Sequence, residues 1–399
     1  MKKYIVILFD GMADYPDQNG NTPMKQAKKP TTDYLATHGE VGLVQTVPAG
    51  MKPGSDVANL SAMGYDPKKY YTGRSPLEAL SMGVKMNPED VSYRCNVVTL
   101  SGEEPYEEQT MVDYSSGEIT TPEAKEIIEF LAKNLTLPSG LELYPGVSYR
   151  HCLLRRAGET GMDLTPPHDI TDKKITEYLP KGKYADEMLD IMKQSKALLK
   201  DHPVNLSRTK RGLNPVTSVW FWGEGRKPLL DEFYSLRGLK GAVISAVDLI
   251  KGIGIGAGMQ SIDVEGATGT LSSNFDGKAQ AGIEALKEND FLYVHLEAPD
   301  ECGHQGDYNG KVRAIELIDE KIVTPIVKYL KNNEIDFKIA ILPDHATPIV
   351  KKTHVSDPVP YLIYDSQNEI DGVALTEENA TSTKNTLPSG VALVEKLLG

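Results

Sequence analysis

The stretch Phe291–Asp307, FLYVHLEAPDECGHQGD, narrows the choice of fold more than any other part of the chain. Phe291 to Leu296 is a β-rich apolar run of strand length. At Pro299 it breaks into a polar loop that holds Asp300 and, four residues on, His304. A carboxylate and an imidazole leaving the end of a buried strand suit a divalent metal site. For this stretch alone, a polar loop that holds two liganding residues by chance is the better explanation. Three other segments shift the balance, because each offers a matching piece: Asp10, the pair Asp344–His345, and His354.

Tyr4–Phe9 is almost uniformly apolar, as expected at the centre of a parallel sheet covered on both faces. Asp10–Gly11 follows at once, so the carboxylate lies at the carboxyl end of the strand, where open α/β sheets carry their sites. In Gly50–Pro67, GMKPGSDVANLSAMGYDP, Pro53–Gly54 reads as a turn, and Ser55 occupies an N-cap position before Val57, Leu60 and Ala62. Most serines so placed only cap a helix. A hydroxyl at a helix N-terminus beside a metal can also ionise and carry a phosphoryl group.

From Thr72 to Lys227 the texture changes. Val91–Leu100, Val147–Arg155 and Thr217–Trp222 read as strands, and helices are expected near residues 122–134 and 184–200. Past Lys227 a βα alternation resumes: strands at Gly241–Val247, Phe337–Leu342 and Tyr361–Tyr364, and helices at Asp276–Lys287 and Val312–Leu330. The expected fold class is α/β, a core sheet covered by helices and interrupted by an α+β insertion. Residues 1–71 and 228–399 would form a discontinuous metal-binding domain, and residues 72–227 the inserted substrate-binding domain.

Composition removes several classes of function. A chain of 399 residues with a net charge of −13 and no Lys/Arg-rich run gives no support to nucleic-acid binding. No segment approaches the length that spans a bilayer. Cys95, Cys152 and Cys302 are odd in number and far apart, and read as reduced thiols of a soluble cytoplasmic protein.

Asp10, Asp300, His304, Asp344, His345 and His354 are too many ligands for one ion and enough for two. Mixed carboxylate and imidazole donors favour Mn²⁺, with Zn²⁺ or Mg²⁺ as alternatives. Two ions close together can activate a nucleophile and clamp a phosphoryl group, and Ser55 would bridge them. Gly252–Ala257 fits a dinucleotide fingerprint but follows a short helix instead of a strand, so it is set aside. Gly277–Lys278 lacks the glycine that a P-loop needs.

The motifs DGMAD, PGSDVANLSAMGYDP, YTGRSPLEA, RCN (Arg94–Asn96), HDI, VEGATG, EAPDECGH and PDHATP, in this order, resemble the cofactor-independent phosphoglycerate mutases of the archaeal type, members of the alkaline phosphatase superfamily. The likeness spans nearly the whole chain. It implies an alkaline-phosphatase-like core and a metal-dependent isomerase of glycolysis with a phosphoserine intermediate. It also implies that Asp300, His304 and His354 hold one ion, while Asp10, Ser55, Asp344 and His345 hold the other. Catalytic roles fall to Ser55, Asp169 and Lys251, and a small phosphorylated substrate would meet Arg94, His168, Asp169, Arg226 and Lys251. Thr217–Lys227, TSVWFWGEGRK, departs from the family pattern by being Trp-rich. It is more similar to a branch proposed to phosphorylate homoserine in threonine biosynthesis, and phosphotransfer to homoserine is the alternative function.

Overall fold

The computed structural model describes residues 2–102 and 104–399. Two compact units make up the chain, Met1–Tyr71 with Leu230–Gly399 and Thr72–Leu229. The first leg of the discontinuous unit supplies β1 (Lys3–Phe9) and β2 (Glu40–Val44). The insert supplies β3 (Val91–Leu100), β4 (Met111–Asp113), β5 (Leu141–Tyr144), β6 (Arg150–Arg155) and β7 (Ser218–Arg226). The second leg adds β8 (Gly241–Ile244), β9 (Gln260–Ile262), β10 (Phe291–Leu296), β11 (Phe337–Leu342), β12 (Val359–Asp365) and β13 (Thr386–Leu387).

The discontinuous unit is one mixed sheet in the order β13-β2-β12-β11-β1-β10-β8-β9. β1 lies between β10 and β11 and runs parallel to both, with Ile7 opposite Val294 on one side and Ile341 on the other. Ile5 to Phe9 are fully buried, as are Phe291 to Val294. A strand buried on both faces needs no polar alternation, which is why these runs are legible as central strands. β12 departs from the parallel pattern: it runs antiparallel to both β11 and β2. The three central strands therefore deliver their carboxyl ends to one edge of the sheet.

Two local expectations need correction. The residues after Pro299 form the helix Ala298–Gln305, where a loop was expected. Pro299 sits in its first turn, where a missing N–H costs nothing and a fixed φ favours helix, so the proline starts a helix here instead of breaking one. Val312–Leu330 is not one helix but Tyr308–Ile318 and Thr324–Asn332 joined by a π turn, Asp319–Val323. Buried Asp319 in that turn accepts from the amides of Thr31 and Thr32. Gly252–Gly256 lies inside the helix Asp248–Gly256, a context no dinucleotide turn would have.

The insert is an antiparallel sheet in which β3 pairs with β4, β6 and β7, and β6 pairs with β5. The helices Thr121–Asn134 and Ala185–Leu199 cover one face, burying Ile127, Ile128, Leu131, Met188, Ile191 and Met192 against Tyr93, Cys95, Val97 and Phe221. Among the described residues no helix is long and apolar enough to cross a membrane.

Candidate metal centre

Asp10 follows β1, Asp344 and His345 follow β11, and Asp300 lies in the first turn of the helix after β10. Parallel pairing thus brings Asp10 together with carboxylates that lie hundreds of residues further along the sequence. Gly11 makes the approach feasible: at φ +63° a Cβ here would lie 2.6 Å from Asp300 Oδ1 and 2.7 Å from Asp300 Cα. Two overlapping sets of ligand atoms result, Asp10–Asp344–His345 and Asp300–His345–His354, each with its atoms within 4.8 Å of one another. His304, one helical turn after Asp300, places Nε2 2.9 Å from His354 Nε2 and 3.3 Å from Asp300 Oδ2.

Donor and acceptor bookkeeping fixes how these groups point. The Thr347 hydroxyl donates to Asp300 Oδ1, so His345 Nδ1, 3.2 Å from the same hydroxyl oxygen, must be the donor of that pair. Burial holds the His345 imidazole below its ordinary pKa, hence neutral, and its Nε2 lone pair faces Ser55 Oγ at 3.2 Å and Asp344 Oδ2 at 3.3 Å. His304 Nδ1 donates to the Lys352 carbonyl at 3.0 Å, which leaves Nε2 as its ligand atom. The hydrogen bond with Asp300 pushes His304 up to about 9.

Asp10 is buried, and one of its oxygens, Oδ1, has no hydrogen-bond partner. Burial, followed by the negative charges of Asp344 and Asp300, raises its carboxyl well above the usual range. Three buried carboxylates beside the neutral His345 carry more negative charge than the His304 imidazole alone offsets, and divalent cations supply the balance. The residues present therefore fit metal ions.

Several residues that the sequence reading passed over hold these ligands in place. Val247 N–H donates to Ser245 Oγ, and Ser245 lies 3.1 Å from His295 Nδ1. Burial keeps His295 neutral, down at about 3, so its Nε2–H donates to Asp10 Oδ2 at 2.8 Å and leaves Oδ1 for another partner. Asn59 donates to Asp344 Oδ2 at 2.8 Å and accepts from the buried Tyr293 hydroxyl at 2.7 Å. Buried Lys311 binds Asp14 at 2.7 Å and the Thr347 carbonyl at 2.9 Å, clasping the two ligand-bearing loops. A polar side chain inside an apolar strand, such as His295, was the available signal.

Ser55 is the first residue of the helix Ser55–Ala62, and the cap position belongs to Gly54, which makes no side-chain cap bond. The N-cap expectation for Ser55 is thus off by one residue. Its hydroxyl faces His345 instead of its own helix. Lys251, in the same unit, has its ammonium 2.6 Å from Asp263 Oδ1.

In the insert, Arg94 is buried against Glu78, with Nε 2.8 Å from Oε2, and lies over the Trp222 ring at 3.9 Å. His168 packs edge-on to the same ring at 5.2 Å, and Asp169 is beside it at 3.7 Å. The Arg226 guanidinium donates to the carbonyls of Glu89 and Gly158, each at 2.9 Å.

Fold and site together describe an α/β protein with two overlapping carboxylate–imidazole clusters beside a helix-terminal serine. The family model of 2,3-bisphosphoglycerate-independent phosphoglycerate mutases matches residues 36–205. The mutase of that name from Methanosarcina barkeri is 49% identical over 95% of this chain and 94% of its own length. Its counterpart from Methanothrix thermoacetophila is 48% identical over 95% of each chain. A solved Pyrococcus horikoshii protein shares 29% identity with a TM-score of 0.80, covering 100% of this chain and 97% of that one. The cofactor-independent phosphoglycerate mutase of Thermoplasma acidophilum shares the fold at TM-score 0.64, with 24% identity and full coverage of both chains. The chain belongs to the 2,3-bisphosphoglycerate-independent phosphoglycerate mutase family.

Proposed function

We propose that this chain interconverts 3- and 2-phosphoglycerate in glycolysis and gluconeogenesis, in the cytoplasm, through a phosphoserine at Ser55. One observation carries the reading: Ser55 Oγ is released from helix capping and lies 3.2 Å from an imidazole shared by both ligand clusters. The names of the archaeal relatives support the substrate. In this reading Asp10, Ser55, Asp344 and His345 would hold one divalent ion, and Asp300, His304 and His354 the other, with Mn²⁺ as the first choice. Bound there, the ions would offset phosphoryl charge and favour the ionised serine.

His345 Nε2 lies 3.2 Å from the Ser55 hydroxyl, so two of the donors proposed for one ion sit side by side. Ser55 Oγ forms a bond to phosphorus as the bond from phosphorus to the substrate 3-oxygen breaks, and the glycerate oxygen takes up a proton. Asp169 and Lys251 are the proposed proton carriers, and Arg94 and His168 the proposed contacts to the substrate's anionic groups. Transfer of the phosphoryl group to the 2-hydroxyl then restores Ser55. A coupled assay on purified Mn²⁺-loaded protein tests this, with 2-phosphoglycerate formed from 3-phosphoglycerate as the expected result. Phosphohomoserine without 2-phosphoglycerate would replace this reading with the kinase-like one, and phosphate release outrunning transfer would make the protein a phosphomonoesterase.

A further inference from the structure

Trp222 and Arg94 are direct cross-strand partners on β7 and β3. The register between Ser92 and Arg94 shifts at this point, and Gly223 turns through φ +60°. A Cβ at Gly223 would stand 3.3 Å from Arg94 Cδ, so the bulge and its glycine make room for the arginine stem. The guanidinium is then held on two sides, by the indole face at 3.9 Å and by Glu78 at 2.8 Å. The indole is held in turn, its Nε1–H donating to Asn96 Oδ1 at 2.9 Å and the His168 ring against its edge. Asn96 donates onward to the Tyr114 carbonyl at 3.0 Å, and Tyr114 meets both His168 and Tyr149 edge-on.

This frame holds positive charge near Glu78, the carboxylate that faces Arg94, Arg74 and Arg150 together. Burial lowers Arg94 only to about 10, so it stays charged at neutral pH. The stem of Arg94 packs beside Gly223 and one guanidinium face lies on the indole, while Nε is within ion-pair distance of Glu78 but makes no hydrogen bond. A guanidinium constrained in this way presents a preformed fork to an anion.

We propose that Trp222 is a positioning residue, which holds Arg94 and His168 as the insert's binding group for a phosphate or carboxylate of the substrate. The identity of that substrate as phosphoglycerate rests on the mutase reading; the positioning role does not. Loss of the indole face frees the guanidinium and weakens ground-state binding more than the chemical step.

The experiment combines kinetics with a spectroscopic readout. The chain has two tryptophans, so W220F leaves Trp222 as the only indole reporter. Titration of W220F with 3-phosphoglycerate should shift Trp222 emission, and the shift should vanish in W220F/R94K. In kinetics, Trp222→Leu should raise KM roughly tenfold with kcat within about threefold, and Trp222→Phe, which keeps an aromatic face, should stay within about threefold in KM. A folded W222L with wild-type KM, or with its loss confined to kcat, overturns the proposal. So does Trp222 emission that does not respond to saturating ligand, a result that stands even if W222L fails to fold. A wild-type protein without mutase turnover refutes the mutase reading alone, and titration of W220F with inorganic phosphate then decides the positioning role.

Discussion

The two units assemble their polar groups by opposite means. In the discontinuous unit, parallel strands converge on one edge and each hands over a candidate ligand at its end, as Asp10 and Asp344 show. In the insert, polar groups rise from the face of an antiparallel sheet, where Arg94 meets Trp222 across a bulge. Strand ends give a site whose members are interdependent, because His345 serves both ligand clusters. A sheet face gives a site whose members are replaceable in degree. The first arrangement should therefore fail all at once when a residue is lost, and the second gradually.

His345→Ala is the harshest way to break that contrast. It removes an imidazole common to both clusters and the partner of Ser55, and should lower turnover by at least ~10³-fold. Metal analysis of the purified variant should show less than half the wild-type content. His304→Ala removes a ligand close to only one cluster and should retain about half. Equal metal loss in the two variants would show that the clusters are not coupled through His345.

The sequence made the first unit more legible than the second for the same geometric reason. Uniformly apolar runs such as Tyr4–Phe9 announce central strands, and the residue after each run lies at the sheet edge by necessity. The candidate ligands Asp10, Asp300, Asp344 and His345 could be named from one dimension because their placement is local to a strand end. Their supports could not: Asn59 and Tyr293 meet across the fold, and no spacing rule links them. Helix Ala298–Gln305 was missed because a proline after a strand is ambiguous between breaking and starting a helix. In the insert the contact of Arg94 with Trp222 depends on a register shift that the sequence leaves unspecified, and the carbonyl contacts of Arg226 are equally non-local.

Two buried histidines sharpen the comparison at smaller amplitude. His295 has both ring nitrogens engaged and orients Asp10, so His295→Leu should weaken metal binding about 10–100-fold, read by competition with a chelator. Unchanged metal affinity would reduce His295 to core packing. His151, in the insert, accepts from the Gly146 amide at 3.0 Å, and its Nε2 is buried without a partner. Burial holds it down at about 3, well below the value near 6.5 of an unfolded chain. Below pH 6.5 the unfolded chain binds a proton that the folded chain refuses, so stability falls as pH falls, by about 1.4 kcal/mol per unit until the folded pKa is reached. Chemical denaturation of the full chain at pH 7.5 and 5.5 should show that acid loss, and His151→Leu should show it reduced by about that amount. An identical acid loss in both would assign it to other groups.

The central claim is that Ser55 carries the phosphoryl group. Wild-type protein incubated with 3-phosphoglycerate and quenched in acid should yield phosphate on the peptide around Pro53–Asn59, mapped by mass spectrometry to Ser55. The Ser55→Ala variant should fold, retain metal through the remaining ligands and show neither label nor turnover. If the serine had only a structural role at the helix terminus, its loss would cost about 1 kcal/mol of stability and leave activity nearly intact. An alanine variant that turns over at a tenth of the wild-type rate, or a label that maps to another residue, would contradict the account.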